Sequence, residues 1–534
     1  MSGGVARLQA NACPVSFGQL LRDRLSADGS YSDLLLRNAT LATGQLSESS
    51  NCPVATLPAA DDEGNVSADV LVRAGKIVTV AKPGELAASE ATREVDLQKR
   101  LMWSCFCEPH AHLFKTHTCP RCPNFTGAMN DSRHCEASDR PWSYEDISRR
   151  MEFTLKSALA HGMRLIRTHL DGTEDDRPAQ REACWKAFDT LRKDFEGAVD
   201  LQGVANLYLP LWSSEPHRQR QLPEILARRP HVILGAYCGC IREAHFDEFV
   251  GHFRSLFAVA LEHQLPVDLH IDETNDERAR GILAAMTALQ EVRSKGYTAP
   301  VLCGHSCALA RVPTDVLNKT MAAMRQAAPV VVAANPPTNL WLQDRRGQDE
   351  TVGTSIPEDI PRTPLWRGMT ACQELEAAGV PVGIGGDNVR DWWHNYGDAD
   401  SLDNFRLGVY AAHLDKPHGA LTKWSGAISH VPAQGFGAEF LKATFGEAPA
   451  LSLGSGAPCD VVIFNARSFS ELFSRPQADR VVVRALGSSG DICVLPPGLP
   501  EYSELDDLVS KRTVVDRTAL LHKSQTDLDA EMGF

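Results

Sequence analysis

Short apolar runs alternate with helix-like stretches through the middle of this chain. Eight runs stand out, at positions 101–107, 163–168, 199–209, 232–236, 266–270, 300–303, 329–333 and 380–384. Segments of helical periodicity separate most of them, including 144–161, 247–262 and 277–295. The first of these has Ser143 and Asp146 at capping-box spacing and Gly162 as a C-terminal stop. Continuous apolar strands alternating with helices predict a parallel sheet covered on both faces. Eight of them within about 300 residues predict closure into a (β/α)8 TIM barrel rather than an open sheet.

The flanks read differently. Positions 33–43 are strand-like, 44–67 are polar, and 68–80 give two more strands around Gly75. The β pattern returns at 458–465 and 480–485. A small composite β-sandwich built from both chain ends is the simplest way to join these pieces. The expected organisation is a leader or extension over 1–31, an N-terminal β-sandwich segment over 32–100 and the barrel over 101–430. A C-terminal β-sandwich segment follows over 431–500, and a charged tail, helical at most, over 501–534. No internal repeat is visible.

Composition narrows the class. The 534 residues are 43% hydrophobic and 23% charged, as in a soluble globular protein. The net charge of −14 argues against a nucleic-acid or anionic-membrane surface, and no apolar run reaches the length of a membrane span. Fifteen cysteines without an apolar secretory signal point to free thiols in a reducing compartment, hence a cytoplasmic location. Arg7 and Arg22 precede the first acid, Asp23, so organelle import by the N-terminal segment is the alternative. A small-molecule substrate and a homo-oligomer are expected.

Four histidines and one aspartate fall where the predicted barrel strands hand over to loops. His110 and His112 follow the first run, His270 ends the fifth, His305 follows the sixth and Asp387 follows the eighth. Residues i and i+2 of a strand share a face, so His110 and His112 can both point inward. With 18 histidines in the chain, about 0.6 chance His-x-His pairs are expected, so the pair alone says little. The positions say more, because strands one, five, six and eight converge on one mouth of a closed barrel, where barrel active sites are built. Imidazole with carboxylate suits one divalent transition metal, zinc or iron.

In this order the residues resemble the amidohydrolase superfamily, and the local text resembles its cytosine deaminase branch. The matching segments are Glu108-Pro-His-Ala-His-Leu113, Arg167-Thr-His169, His270-Ile-Asp-Glu273, Ala334-Asn-Pro336 with Leu342-Gln343, and Gly386-Asp-Asn-Val-Arg-Asp391 followed by Trp393 and Gly397. The resemblance covers about residues 101 to 415 and implies roles. His110, His112, His270 and Asp387 would hold the metal, which makes hydroxide available near neutrality. Asp387 would accept the water proton and His305 would orient the hydroxide. Glu273 would carry a proton to the substrate ring nitrogen and then to departing ammonia. The fourth run, with Tyr237, Cys238 and Gly239 at its end, has no lysine to bridge two metals, which favours one.

The substrate side departs from that branch. The end of strand three, residues 204–212, opens Val204-Ala-Asn206 and has no glutamine, Asn388 stands where a second acid is usual, and Phe114 replaces an acid after His112. Changed polar groups imply a changed substrate. Candidate contacts are Lys115, His117, His169, Asn206, Asn388, Trp392 and Trp393. Cys119-Pro-Arg-Cys122 with His134-Cys135 has the ingredients of a second zinc site, but the spacing is loose and incidental lid cysteines are the preferred reading.

The leading expectation is therefore deamination of a nitrogen heterocycle, a cytosine-like pyrimidine or triazine. The alternative is hydrolysis of a cyclic or exocyclic amide. A non-catalytic assembly protein ranks last, because no proposed ligand is missing.

Overall fold

The computed structural model describes residues 17–26, 33–47, 57–124, 127–173, 177–345, 363–475, 479–486, 490–495 and 498–510. It divides into two compact units, Met1–Cys105 with Asp415–Gly426 and Glu447–Gly498, and Phe106–Leu414 with Ala427–Gly446 and Leu499–Phe534.

The first unit is built on one eight-stranded mixed sheet contributed by both ends of the chain. Its order is Asp491–Val494, Arg480–Leu486, Val461–Phe464, Leu101–Ser104, Asp33–Ala42, Asn65–Arg73 and Lys76–Ala81, with Arg93–Asp96 also beside Asp33–Ala42. Strand Asp33–Ala42 shows how local sequence serves the core. Leu34 and Leu36 face inward, the register shifts before Ala39, and Ala39 with Leu41 face inward again. A bulge adds the residue that keeps both apolar pairs on one face, and Asn38 takes the left-handed conformation there, φ 51°. The next two strands are joined through Ala74 and Gly75, both at positive φ (45° and 70°), as a two-residue hairpin turn requires.

Within the stretch expected as a leader, Phe17–Ser26 is a helix whose Leu21 and Leu25 join this core. Arg22 pairs with Asp479 at 3.1 Å. Residues 1–16 and 27–32 lie outside the described residues.

The second unit is the barrel. Eight parallel strands follow in order: Phe106–Ala111, Met163–His169, Asp200–Tyr208, Val232–Tyr237, Val267–Ile271, Val301–His305, Val330–Ala334 and Val382–Ile384. All eight predicted runs are strands, but the first run is two of them. Leu101–Ser104 pairs antiparallel with Val461–Ile463 in the mixed sheet, and the barrel starts at Phe106. Cys105 separates the two strands, its N–H donating to the Asp460 carbonyl at 2.8 Å. Barrel strands one and eight meet through a parallel bridge, Ala111 to Asp387, with the His112 N–H donating to the Asp387 carbonyl at 3.1 Å.

Helix Tyr144–His161 keeps its predicted ends. Ser143 Oγ accepts from the Asp146 N–H at 3.2 Å, and Gly162 closes the helix at φ 94°. The Asp146 carboxylate turns instead to Arg121 and Arg150. In the tail, Tyr502–Leu505 and Asp506–Val509 form short helical turns whose Leu505 and Leu508 pack on Phe153. Residues 511–534 lie outside the described residues. No helix among the described residues is long and apolar enough to cross a membrane.

Candidate metal centre

The barrel brings the dispersed histidines together. His110 lies in strand one, His112 directly after it, His270 in strand five and His305 at the end of strand six, and all are buried. His110 Nε2 and His112 Nε2 lie 3.1 and 3.0 Å from His270 Nε2. Asp387, just beyond strand eight, places Oδ1 3.3 Å from His112 Nε2 and 3.9 Å from His110 Nε2. Asp387 and His305 adopt positive φ (67° and 64°), a conformation costing non-glycine residues of order 1–3 kcal/mol. Such strain gathers where side-chain aim matters more than backbone comfort.

This donor set fits a metal ion. Burial, with the neighbouring His169, lowers the His110 pKa to about 4, and burial drives those of His112 and His270 well below the ordinary imidazole value. The rings are therefore neutral and offer lone pairs. Two such nitrogens, each about 3 Å from a third, repel it unless a cation lies among them. Burial, with Glu273 nearby, pushes the Asp387 carboxyl well up, a second demand for positive charge. Asp387 Oδ1 is buried without a hydrogen-bond partner.

Carboxylates orient two of these rings. His112 Nδ1 lies 2.8 Å from Asp171 Oδ2, and His110 Nδ1 lies 3.3 Å from Asp268 Oδ1. With Nδ1 turned to a carboxylate, Nε2 faces the centre as an acceptor. Asp268 is itself held by Arg167, whose guanidinium donates at 3.0 Å and also to Gln202 Oε1 at 2.8 Å. Both Arg167 and Asp268 are wholly buried.

His305 is arranged differently. The Asn339 amide nitrogen donates to His305 Nδ1 at 3.0 Å, and Asn339 Oδ1 accepts from the Asn335 N–H, which fixes the amide orientation. The proton of a neutral His305 ring then sits on Nε2, 3.9 Å from Asp387 Oδ2. His305 is thus a hydrogen-bond donor toward the centre. Glu273 places Oε1 3.5 Å from His305 Nδ1, and that oxygen is buried without a partner. Burial raises the Glu273 pKa to about 7, against the pull of Arg133 and Lys115.

The predicted substrate contacts divide into two groups. Lys115 is buried at the mouth, with its ammonium 5.0 Å from the Trp393 ring centre. Against its burial, Asp171, Glu136, Asp391 and Asp387 hold that ammonium above its usual range. Trp393 Nε1 donates to Glu136 at 2.9 Å. Asn206 is half-buried on strand three, and its Oδ1 has no hydrogen-bond partner.

The others are engaged by the scaffold. His169 sits beneath His110 and His112, with ring centres 4.3 and 4.6 Å away and both nitrogens facing oxygens, of Ala111 and Asp268. His117 Nε2 bonds Thr154 at 3.1 Å and its ring packs on Phe153, and burial lowers its pKa to about 3. Trp392 is fully buried and stacks on Trp142. Asn388 braces its loop through Asp391 at 2.9 Å and Thr338. Polar and aromatic residues close to ligands in sequence are here as often the packing that holds the loops.

Several residues at the centre had no sequence signal of their own. Asp171 and Asp268 lie near motif histidines, and the carboxylate habit of metal-bound imidazoles is the clue that points to them. Arg133 and Glu136 lie on helix Met129–Asp139, which buries only Ser132 and Cys135 and so carries no apolar stripe to mark it. Among the described residues, the groups of potential ligands that gather are His110, His112, His169 and His270, and His110, His305 and Asp387, each within 4.8 Å. Cys119, Cys122, His134 and Cys135 do not form such a group.

Residues 224–515 match the model of an amidohydrolase family. A pterin deaminase of Rhizobium rhizogenes is 33% identical over 451 residues, covering 84% of this chain and 92% of that protein. An N-isopropylammelide isopropyl amidohydrolase of a Pseudomonas species is 23% identical over 324 residues, 58% of this chain and 68% of that one. Among solved structures, a 5-methylcytosine deaminase from Klebsiella pneumoniae superposes with a TM-score of 0.66 at 20% identity, over 88% of this chain and 99% of that one.

Proposed function

This chain belongs to the amidohydrolase family, and from that premise we propose that it removes the exocyclic amino group of a pterin-type bicyclic heterocycle. At the coarser level it is a metal-dependent hydrolase of a C–N bond in a nitrogen heterocycle. One observation carries the reading: three buried imidazoles and the Asp387 carboxylate converge near Glu273, whose Oε1 is buried without a hydrogen-bond partner and whose pKa burial raises to about 7.

His110, His112, His270 and Asp387 would hold one divalent transition ion, zinc or iron, which lowers the pKa of a water toward neutrality. Strand four, Val232–Tyr237, has no lysine to bridge a second ion, which supports a single metal. The chain's own residues do the rest. Asp387 takes the water proton as oxygen approaches the amino-bearing ring carbon. His305, with its proton on Nε2, donates to that oxygen and sets its direction. Glu273 delivers its proton to the adjacent ring nitrogen. The tetrahedral carbon then loses ammonia, whose third proton is relayed by the same carboxyl groups, leaving a ring carbonyl. Water and amine are consumed, and the oxo heterocycle and ammonia are produced.

The bicyclic substrate is supported by the identity with a pterin deaminase and by the absence, over residues 204–212 at the end of strand three, of the glutamine expected of a pyrimidine reader; Gln202, earlier in that strand, is engaged by Arg167. A cytoplasmic location is supported by the free thiols of the described cysteines. The net charge of −14 supports a small-molecule substrate over nucleic acid, and the exposed Leu365, Tyr396 and Tyr410 offer apolar surface for a homo-oligomer. An ammonia-release screen over pterins, pyrimidines and triazines tests the substrate. Release from pterin above all others is expected, and turnover confined to monocyclic rings would overturn it.

A further inference from the structure

Helix Met129–Asp139 carries residues to the metal centre that neither the motifs nor the mechanism use. The Ser132 hydroxyl donates to the Trp392 carbonyl at 2.8 Å, and one turn on, Glu136 accepts from Trp393 Nε1 at 2.9 Å. These contacts pin the helix to the loop that follows Asp387. Between them, the Arg133 guanidinium donates to the Tyr237 hydroxyl at 2.6 Å. Tyr237 closes barrel strand four, and its ring centre lies 6.3 Å from that of the ligand His270. Arg133 also bonds Asn130 at 3.2 Å, so its planar fork is held from two sides. Its charge and that of Lys115 both act on the Glu273 carboxylate. Arg133 is therefore held at the end of barrel strand four, bonded to a residue whose ring lies beside that of His270.

Guanidinium is selective for two acceptors presented side by side in one plane. A pterin offers such a pair, the ring carbonyl oxygen and the neighbouring pyrazine nitrogen, spaced like the paired acceptors of a guanine edge that arginine reads bidentately. A monocyclic pyrimidine has the oxygen and lacks the nitrogen. Resting on the deaminase reading above, we propose that Arg133 is a specificity-determining contact, donating to this oxygen–nitrogen pair and so selecting the second ring of the substrate. Tyr237, by fixing the guanidinium plane, is a positioning residue for it.

The test changes both partners. Ammonia release is measured for wild type, Arg133→Met, Arg133→Lys and Tyr237→Phe with pterin and with a deaza analogue whose pyrazine nitrogen is a C–H. Wild type should prefer pterin about 10- to 100-fold in kcat/KM, the discrimination typical of one bidentate arginine contact. Arg133→Met should lose that preference to within threefold, mainly through KM, and Arg133→Lys should keep only part of it. Tyr237→Phe should lower it by a smaller factor. Calorimetric binding of the deaminated product and its deaza form gives the same ratio without turnover. Equal wild-type rates on the two substrates, or a preference that survives in Arg133→Met, would overturn the inference. Absence of ammonia release from either substrate by the metal-loaded wild type would instead overturn the deaminase reading beneath it.

Discussion

The Glu108 carboxylate accepts a hydrogen bond from the Gly386 N–H at 2.7 Å, across the seam where barrel strands one and eight meet. Its other oxygen accepts from the His110 N–H at 3.1 Å. One side chain therefore holds the backbone of His110, a proposed metal ligand, and of the residue directly before Asp387. Space is tight enough to exclude other side chains: a Cβ on Gly385 would come within 2.4 Å of Glu108 Oε1. Burial pushes the Glu108 carboxyl up to about 8, against the pull of these two N–H groups.

Glu108→Gln places an amide N–H against one of those donors and should loosen both ligands. Metal affinity should fall about 10- to 100-fold, the usual effect of losing a supporting contact at a metal site. Metal content after dialysis against a graded chelator series checks this. Wild-type retention would show that the seam is set by the strands alone.

Glu273→Gln should leave metal content unchanged and lower kcat about 10²- to 10⁴-fold, the range for a lost general acid–base group. The carboxyl, raised to about 7 by burial, carries its proton below that pH. Activity of the wild type should therefore fall as pH rises through about 7, and this limb should be absent from the residual rate of Glu273→Gln. Persistence of the same limb in the variant would assign it to another group.

Asp268→Ala tests the layer beneath the ligands. It leaves the wholly buried Arg167 without its carboxylate, and stranding a buried charge costs about 3–5 kcal/mol. A thermal midpoint several degrees lower, with Asp268→Asn intermediate, is the expected outcome. An unchanged midpoint would mean that Gln202 and the Gly435 carbonyl suffice to hold the guanidinium.

Much of this was legible in the sequence, and the reasons are physical. The barrel strands are continuous apolar runs because both faces of a parallel sheet are covered, and the proposed ligands stand out because they sit at the ends of those runs. The exchange of sheets at Cys105 was not legible. Residues 101–107 are apolar but for Ser104, and what divides them is pairing with Val461–Ile463 far along the chain. Asn339 as the group that sets the His305 proton has no local mark either. The part played by helix Met129–Asp139 was hidden for a related reason: the partners of Arg133 and Glu136 lie 104 and 257 positions away. His117 and Trp392 read as substrate contacts because a ring near a ligand looks alike in sequence whether it faces a ligand or Phe153 and Trp142.

The most direct test of a metal-dependent deaminase is ammonia release from pterin as a function of metal bound per chain, titrating zinc or ferrous iron into metal-depleted protein. No activity is expected without metal, then a linear rise that saturates at about one equivalent, and no rise in His270→Ala. Full activity in the depleted protein, or metal binding at one equivalent with no ammonia released from any heterocycle, would contradict this mechanism.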